Sequence, residues 1–283
     1  MANCWNLPNL GYGVGLRTVH FGEILGKSPK VDFFEAITEN FLDIGGRPLH
    51  ILDRVVEKYP VVLHGVSLNI GSTDPMRLDY LKKVKALAKR VKAPWVTDHL
   101  CWTGVAGRNV HDLLPIPYTA ETLALVARNA RIVMDVLERP IFLENPSTYL
   151  AFRQTTMPEW EFLARLAEAA DIGFLLDVNN VYVSAFNHGF DPYAYISAIP
   201  EDRVVQFHVA GHTDKGTHLL DTHSAPARGE VWDLYAHAVR HFGHVTTLFE
   251  WDEEIPDFEA VHAEALKARD VAARALVPEA ACV

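Results

Sequence analysis

Residues 207–224, FHVAGHTDKGTHLLDTHS, carry four histidines and two aspartates in 18 positions: His208, His212, His218, His223, Asp214 and Asp221. The stretch opens on an apolar run, VVQFHVAG, and continues into a polar segment rich in Gly and Thr. Asp221 and His223 are two positions apart, a spacing that turns both side chains to one side of an extended chain. A carboxylate oxygen and an imidazole nitrogen so placed suit a divalent transition metal. Taken alone, the same residues also describe a hydrogen-bonded surface loop that happens to be rich in histidine.

The rest of the chain repeats one pattern, an apolar run that ends on a nitrogen or oxygen ligand. The run at 60–63 (PVVL) leads to His64, and 95–97 leads to Asp98 and His99. The run at 140–143 (PIFL) leads to Glu144, 172–176 (IGFLL) to Asp177, and 203–207 to His208. The run at 245–249 leads to Glu250, with Asp252 two further on. An unpaired carboxylate at the end of a buried strand is costly, so Glu144, Asp177 and Glu250 are hard to account for as structure alone. His64, before a glycine, also reads as a satisfied core histidine. Asp98 and His99 point in different directions; His99 is read as a ligand and Asp98 as the partner that orients an imidazole, with the reverse open. Asn145 and Asn180 are amide-oxygen ligands or hydrogen-bond supports. Glu35 and Glu39 either pair with Arg17 or bind metal. His188, His218, His237, His241 and His244 read as loop or helix-surface residues, and Cys101 as packing.

The six strand ends, with His212, Asp221 and His223, offer four carboxylates and five imidazoles. That is too many for one ion, and bridging carboxylates would hold two or three ions together. A set without thiolate suits iron, manganese or zinc and argues against structural zinc.

These ends must be brought together by the elements between them. Runs at 13–16 (GVGL) and 31–37 (VDFFEAI) bring the strand-like segments to eight. Helical stripes fill the gaps: Leu78, Leu81, Val84, Leu87 and Val91, then Leu123, Val126, Ala130, Val133 and Leu137, and finally Val261, Leu266 and Val271. Thr156 to Glu159 reads as a capping box opening another helix. Unalternating runs such as VVL and IFL fit strands buried on both faces. The count predicts an α/β fold, a single (β/α)8 TIM-type barrel with its site at the C-terminal ends of the strands. One domain spans 1–283, with its core at about 11–275 and residues 276–283 as a disordered tail. An open doubly wound sheet is the competing fold; it would place a Gly-rich loop after the first strand, where GYGVGLR precedes or forms that strand.

The net charge is −10, from 26 basic and 36 acidic residues, which argues against a nucleic-acid partner. The three cysteines, Cys4, Cys101 and Cys282, form no CxxC pair, which suits a reducing cytoplasm. The N-terminus has no basic and apolar regions of a signal peptide. No apolar run reaches the roughly 18 residues of a membrane span.

The ordered set GVGLR, FFEAITENF, LHGVSLNIGS, TDHLCW, FLENPSTY, LLDVNN, FHVAGH, DTHS and FEWD covers roughly residues 11–253. It resembles the multinuclear non-haem iron-dependent oxidative enzymes (MNIO), a family that includes the methanobactin biosynthesis oxidase. The resemblance implies a TIM-type barrel with two to three Fe ions in mixed Fe(II)/Fe(III) states and O2 as co-substrate. It implies His64, His99, Glu144, Asp177, His208, Asp221, His223 and Glu250 as iron ligands. Asn180 falls where some members have a ligating histidine, in LLDVNN against a DxxH pattern, so one metal position differs. His212 and Asp252 carry over as near-site catalytic candidates. The implied reaction is oxidation at cysteine in a ribosomally made precursor peptide, with hydrogen taken from the cysteine β-carbon. A separate protein that recognises the leader peptide, and a homodimer, belong to the same expectation. The N-terminal NLPNLGYGVGLRTVHF resembles the subgroup acting on small copper-binding peptides, the bufferins. The competing functions are a metal hydrolase or isomerase on an endonuclease IV-like or xylose isomerase-like barrel, and a non-catalytic metal-binding protein.

Overall fold

The computed structural model describes residues 3–277. Eight parallel strands form a closed barrel, which settles the choice against an open sheet. They are β1 (Tyr12–Gly15), β2 (Phe34–Ile37), β3 (Val61–Gly65) and β4 (Val96–His99), then, past a hairpin of β5 (Trp102–Val105) and β6 (Arg108–Leu114), β7 (Phe142–Glu144), β8 (Gly173–Asp177) and β9 (Val204–Val209). A short ribbon of β10 (Thr213–Asp214) and β11 (Leu219–Leu220) precedes the last barrel strand, β12 (Thr246–Phe249), which pairs with β1 and closes the ring. The connections carry α1 (Phe21–Lys27), α2 (Gly46–Val56), α3 (Leu78–Val91), α4 (Ala120–Leu137), α5 (Glu159–Ala170), α6 (Val178–His188), α7 (Pro192–Ala198), α8 (Gly229–Phe242) and α9 (Phe258–Ala275).

The apolar stripes read from the sequence face the barrel with two exceptions. Leu78, at the first position of α3, is exposed, and so is Leu266, five positions after Val261 and therefore off the buried face that Ala265 and Ala268 occupy. Thr119 caps α4 by accepting from Thr122 N–H at 3.1 Å. The capping box expected at Thr156 to Glu159 does not form. Pro158 is the N-cap of α5, the Thr156 N–H and hydroxyl both donate to the Tyr118 carbonyl, and Glu159 is buried. Of the expected tail, Leu276 and Val277 follow α9 as a turn, and residues 278–283 lie outside the described residues.

The barrel interior is built in layers. Phe33, Val62, Trp95, Phe142, Val205 and Leu248 form an apolar cluster separate from the sheet–helix core. Trp5 packs edge-on against Phe142 at 4.9 Å and covers this layer. A Cβ on Gly173 would come within 2.5 Å of the Trp5 ring, so this closure requires glycine there. The apolar layer leaves the other end of the barrel, the C-terminal mouth, as the place where polar side chains converge.

Candidate metal centre at the barrel mouth

Five of the six strand-end candidates are the last or next-to-last residues of their strands rather than residues beyond them. His64, His99, Glu144, Asp177 and His208 all lie within β3, β4, β7, β8 and β9, and Glu250 directly follows β12. Register places His99 beside Glu144 and Asp177 beside His208 in neighbouring strands. All six are buried.

Three groups of ligand atoms result, each with all atoms within 4.8 Å of one another: His64, His99 and Glu144; Glu144, Asp177, His208 and Glu250; and His223, Glu250 and Asp252. Glu144 belongs to the first two groups and Glu250 to the last two.

The imidazoles are oriented from behind. His64 Nδ1 meets Thr97 Oγ1 at 2.8 Å, and that hydroxyl donates to the Leu63 carbonyl, so Nδ1–H is the donor. His99 Nδ1 meets the Gly65 carbonyl at 3.1 Å. Both rings then present a bare Nε2 to Glu144 Oε2, each at 3.2 Å. Two lone pairs facing a carboxylate oxygen repel unless a cation lies between them. Burial, with the neighbouring His99 and His208, holds the His64 imidazole well below its ordinary range, so a proton does not readily fill that role.

His208 is reversed. Its Nε2 meets Glu35 Oε1 at 3.1 Å, and Glu35 Oε2 also accepts from the Gln206 amide at 2.6 Å. Gln206 in turn accepts from Trp95 Nε1 at 2.7 Å. His208 Nδ1 faces Glu250 Oε2 at 3.0 Å and Glu144 Oε1 at 3.5 Å. Burial opposes charge on His208, but Glu35, Glu250 and Glu144 outweigh it and raise its affinity for a proton. Burial and the neighbouring Glu144 push the Asp177 carboxyl up to about 8. Glu250 is held low despite burial, because His208 and His223 face it.

Glu144 Oε2, Asp177 Oδ2, His208 Nδ1 and Asn180 Oδ1 are buried without a hydrogen-bond partner. Buried polar atoms left in this state ordinarily have a partner that is not protein. Four such atoms at one mouth, all nitrogen or oxygen, fit a divalent or trivalent metal.

Asp221 and His223 do meet, Nε2 to Oδ1 at 2.6 Å, but not as an extended pair. His223 has φ 45, in the left-handed region. It is held there by its N–H donating to the Gly211 carbonyl and its carbonyl accepting from Asp252 N–H at 2.8 Å. Asp221 belongs to none of the three groups and also accepts from Asn179 Nδ2 at 2.7 Å. His212 is set back from the cavity. Its Nδ1 meets Asn179 Oδ1 at 2.8 Å and its ring stacks on Tyr182.

Several sequence readings change. Asp98 orients no imidazole; it accepts from the backbone N–H groups of His99 and Leu68 and acts on His99 through the main chain. Glu35 and Glu39 do not pair with Arg17. Glu39 accepts from Val66 N–H and the Tyr80 hydroxyl, while Arg17 bonds Asp252 and approaches Glu250 at 3.5 Å. Asn145 is a support, exchanging two hydrogen bonds with the Asp177 main chain. Asn180 donates its amide to the Asn145 carbonyl and keeps its oxygen free. Glu35, Gln206 and Thr97 hold the candidate ligand rings, and the sequence reading missed them in that role. One signal was present: Gln206 is a lone polar residue two positions before His208, hence on the same side of its strand. A cavity of about 410 Å³ opens above the groups, bordered by Arg17, Asn180, Asp221 and Asp252.

A closed parallel barrel with this mouth is a TIM-type barrel with a candidate multinuclear metal centre. Residues 11–273 match the family described as RiPP precursor modification enzyme MbnB/TglH/ChrH, and the chain belongs to that family. It is thereby a member of an enzyme family whose description implies a precursor peptide as substrate. A UPF0276 protein of Anaeromyxobacter sp. (strain Fw109-5) is 55% identical over 267 residues, covering 94% of each chain. A UPF0276 protein of Caulobacter vibrioides (strain NA1000 / CB15N) is 52% identical over 258 residues, covering 91% of this chain and 92% of that one. Among solved structures, D-psicose 3-epimerase from Clostridium cellulolyticum H10 superposes with a TM-score of 0.63 at 11% identity, over 94% of this chain and 99% of that one. A xylose isomerase domain protein from Alicyclobacillus acidocaldarius gives 0.61 at 14% identity, over 94% and 99%. At such identities the likeness is one of fold. Among the described residues no helix is long and apolar enough to cross a membrane.

Proposed function

We propose that this protein is a multinuclear non-haem iron enzyme that uses O2 to oxidise a cysteine in a ribosomally made precursor peptide. One observation carries the multinuclear reading: Glu144 and Glu250 are each shared between adjoining groups of side chains that could hold an ion, which supports bridged metal positions across the mouth. His64, His99 and Glu144 would hold the first; Glu144, Asp177, His208 and Glu250 the second; His223, Glu250 and Asp252 the third, with Asp221 at the other ring nitrogen of His223. Asn180 contributes an amide oxygen where its free Oδ1 lies. Bound iron supplies the redox chemistry that O2 activation requires.

The protein's own groups prepare the substrate. Arg17 fixes Asp252 at the open side of the cavity, where the pair orients the entering cysteine. His212 acts as a positioning residue, holding Asn179 and through it Asp221. Outside the barrel the described chain has connecting helices, a hairpin and a short ribbon, which supports a separate protein for leader recognition. A homodimer and a cytoplasmic location belong to the same reading, and the small copper-binding peptide as substrate rests on the N-terminal sequence.

The test is oxygen-free purification, elemental analysis and Mössbauer spectra of iron-57 material, followed by O2 uptake with a cysteine-containing precursor peptide encoded beside the gene. Two to three irons per chain and oxidation that stops when the peptide cysteine is replaced by serine are expected. Zinc or manganese at full occupancy without O2 uptake would transfer the function to metal hydrolysis or isomerisation. A saturated centre with no turnover would make it a metal-binding protein.

A further inference from the structure

Two depressions are lined by neighbouring residues of the same two chain segments. The cavity above the ligand groups is bordered by Asp112 and Leu113, where β6 ends, and by Pro146 and Tyr149 after β7. The same two segments continue as Ile116 on one side and Leu150 and Phe152 on the other, and enclose an adjoining cleft of about 190 Å³. Its walls are mostly apolar, with Trp160 and Phe190 among them and Thr148, Thr155, Glu159 and His188 as the polar exceptions. At 190 Å³ it is smaller than the roughly 300–1,000 Å³ of small-molecule sites and has the size of one side chain. The wall after β7 is fixed before any ligand arrives. Thr148 N–H donates to Ser184 Oγ at 3.1 Å, and Thr148 Oγ1 meets His188 Nε2 at 2.8 Å. Between the two depressions Tyr149 and Leu150 stand 49% and 54% exposed, large apolar surface that folding leaves uncovered. Glu159, more than nine-tenths buried, also lines the cleft, beside the Tyr118 and Tyr195 hydroxyls.

We propose that this cleft is a side-chain subsite of the peptide site: it receives a bulky apolar side chain of the precursor peptide, close in sequence to the residue being modified. The inference rests on the peptide-modifying reading. The continuity of the walls supports one ligand crossing both depressions, and an extended peptide is the ligand of that shape. Side chains on one face of an extended peptide alternate, so the apolar residue stands an even number of positions from the modified one. Pocket contacts of this kind discriminate by about 10–200-fold.

The experiment uses metal-loaded protein, a precursor peptide that it turns over and single-alanine variants of that peptide. Leu150→Asp, at an exposed position, places a charge in the cleft without disturbing the core. Expected is a rise in KM of about tenfold or more, with bound metal and kcat kept. One apolar-to-alanine change in the peptide should raise KM alike with the wild-type protein and add little on top of Leu150→Asp. That non-additivity, confined to one peptide position, ties that side chain to the cleft, whereas a general loss of peptide binding would add to every alanine change alike. An unchanged KM in Leu150→Asp, or fully additive effects, would overturn the subsite while leaving the peptide-modifying reading in place. No turnover of any precursor peptide by the metal-loaded wild-type protein would instead overturn that reading, and the subsite with it.

Discussion

Glu35 shows how a residue outside the ligand groups controls one inside. Its carboxylate takes the His208 Nε2–H and the Gln206 amide, which leaves His208 Nδ1 as the atom that faces the mouth. Glu35→Gln cannot accept both bonds equally, and partners of this kind are worth about 10–100-fold in metal affinity. We expect a loss in that range by metal titration, with the circular dichroism spectrum unchanged; unaltered affinity would show that Glu35 only fills space. Glu159 makes a different prediction. Burial pushes its carboxyl from 4.5 up to about 7, against the opposing pull of the Tyr118 and Tyr195 hydroxyls. A pKa raised on folding means that the folded state holds the proton more tightly. Its stabilising effect is therefore full below the unfolded pKa and is lost as pH rises to about 7. The loss is about 3 kcal/mol. Glu159→Gln should flatten the stability profile of the metal-free protein by about that amount between pH 5 and 8, measured by urea unfolding. Equal profiles for variant and parent would place the pH dependence elsewhere.

At the scale of elements, the strand ends and the loop after β9 divide the work. Glu144, Asp177 and His208 sit on strands whose positions are set by the closed ladder, whereas His223 depends on a loop in a left-handed turn. Gly211 anchors that loop. A Cβ there would lie 2.1 Å from the Ala225 carbonyl oxygen, and the Gly211 carbonyl accepts from His223 N–H. Backbone cannot yield as a side-chain tip can. Gly211→Ala should cost about 1–3 kcal/mol and displace His223. Fewer ions per chain are expected, with the position at His64, His99 and Glu144 still filled. Full metal content in Gly211→Ala would show that the loop does not set the third position.

Across the whole molecule, the mouth concentrates charge that the barrel cannot relieve alone. Glu35, Glu144, Asp177 and Glu250 are all buried around His208. A metal bound only in the folded state adds stability by mass action, about 4 kcal/mol at a thousandfold excess over its Kd. Stripping metal with a chelator should lower Tm on the order of 10 °C, recovered by adding metal back. An unchanged Tm after verified stripping would mean that the mouth is stable without cations.

The sequence by itself determined the barrel and most of the residues that gather at its mouth. Both are local signals: apolar runs of strand length mark buried strands, and a carboxylate or imidazole closing such a run stands out against them. His64, His99, Glu144, Asp177, His208 and Glu250 were legible for that reason, and the order of motifs pointed to the family. What the tertiary structure decided depends on register around a closed ring, which no local pattern encodes. That register places Glu35 on β2 beside His208 on β9, although 173 positions separate them. It makes Glu144 and Glu250 shared members of neighbouring groups, and it sets His212 behind Asn179, away from the cavity. The ring nitrogen that each histidine presents is chosen by whatever lies behind it, and those partners come from other strands. The side-chain cleft beside the mouth has the same origin, since its two walls, from the segment after the hairpin and from the segment after β7, meet only once the barrel closes.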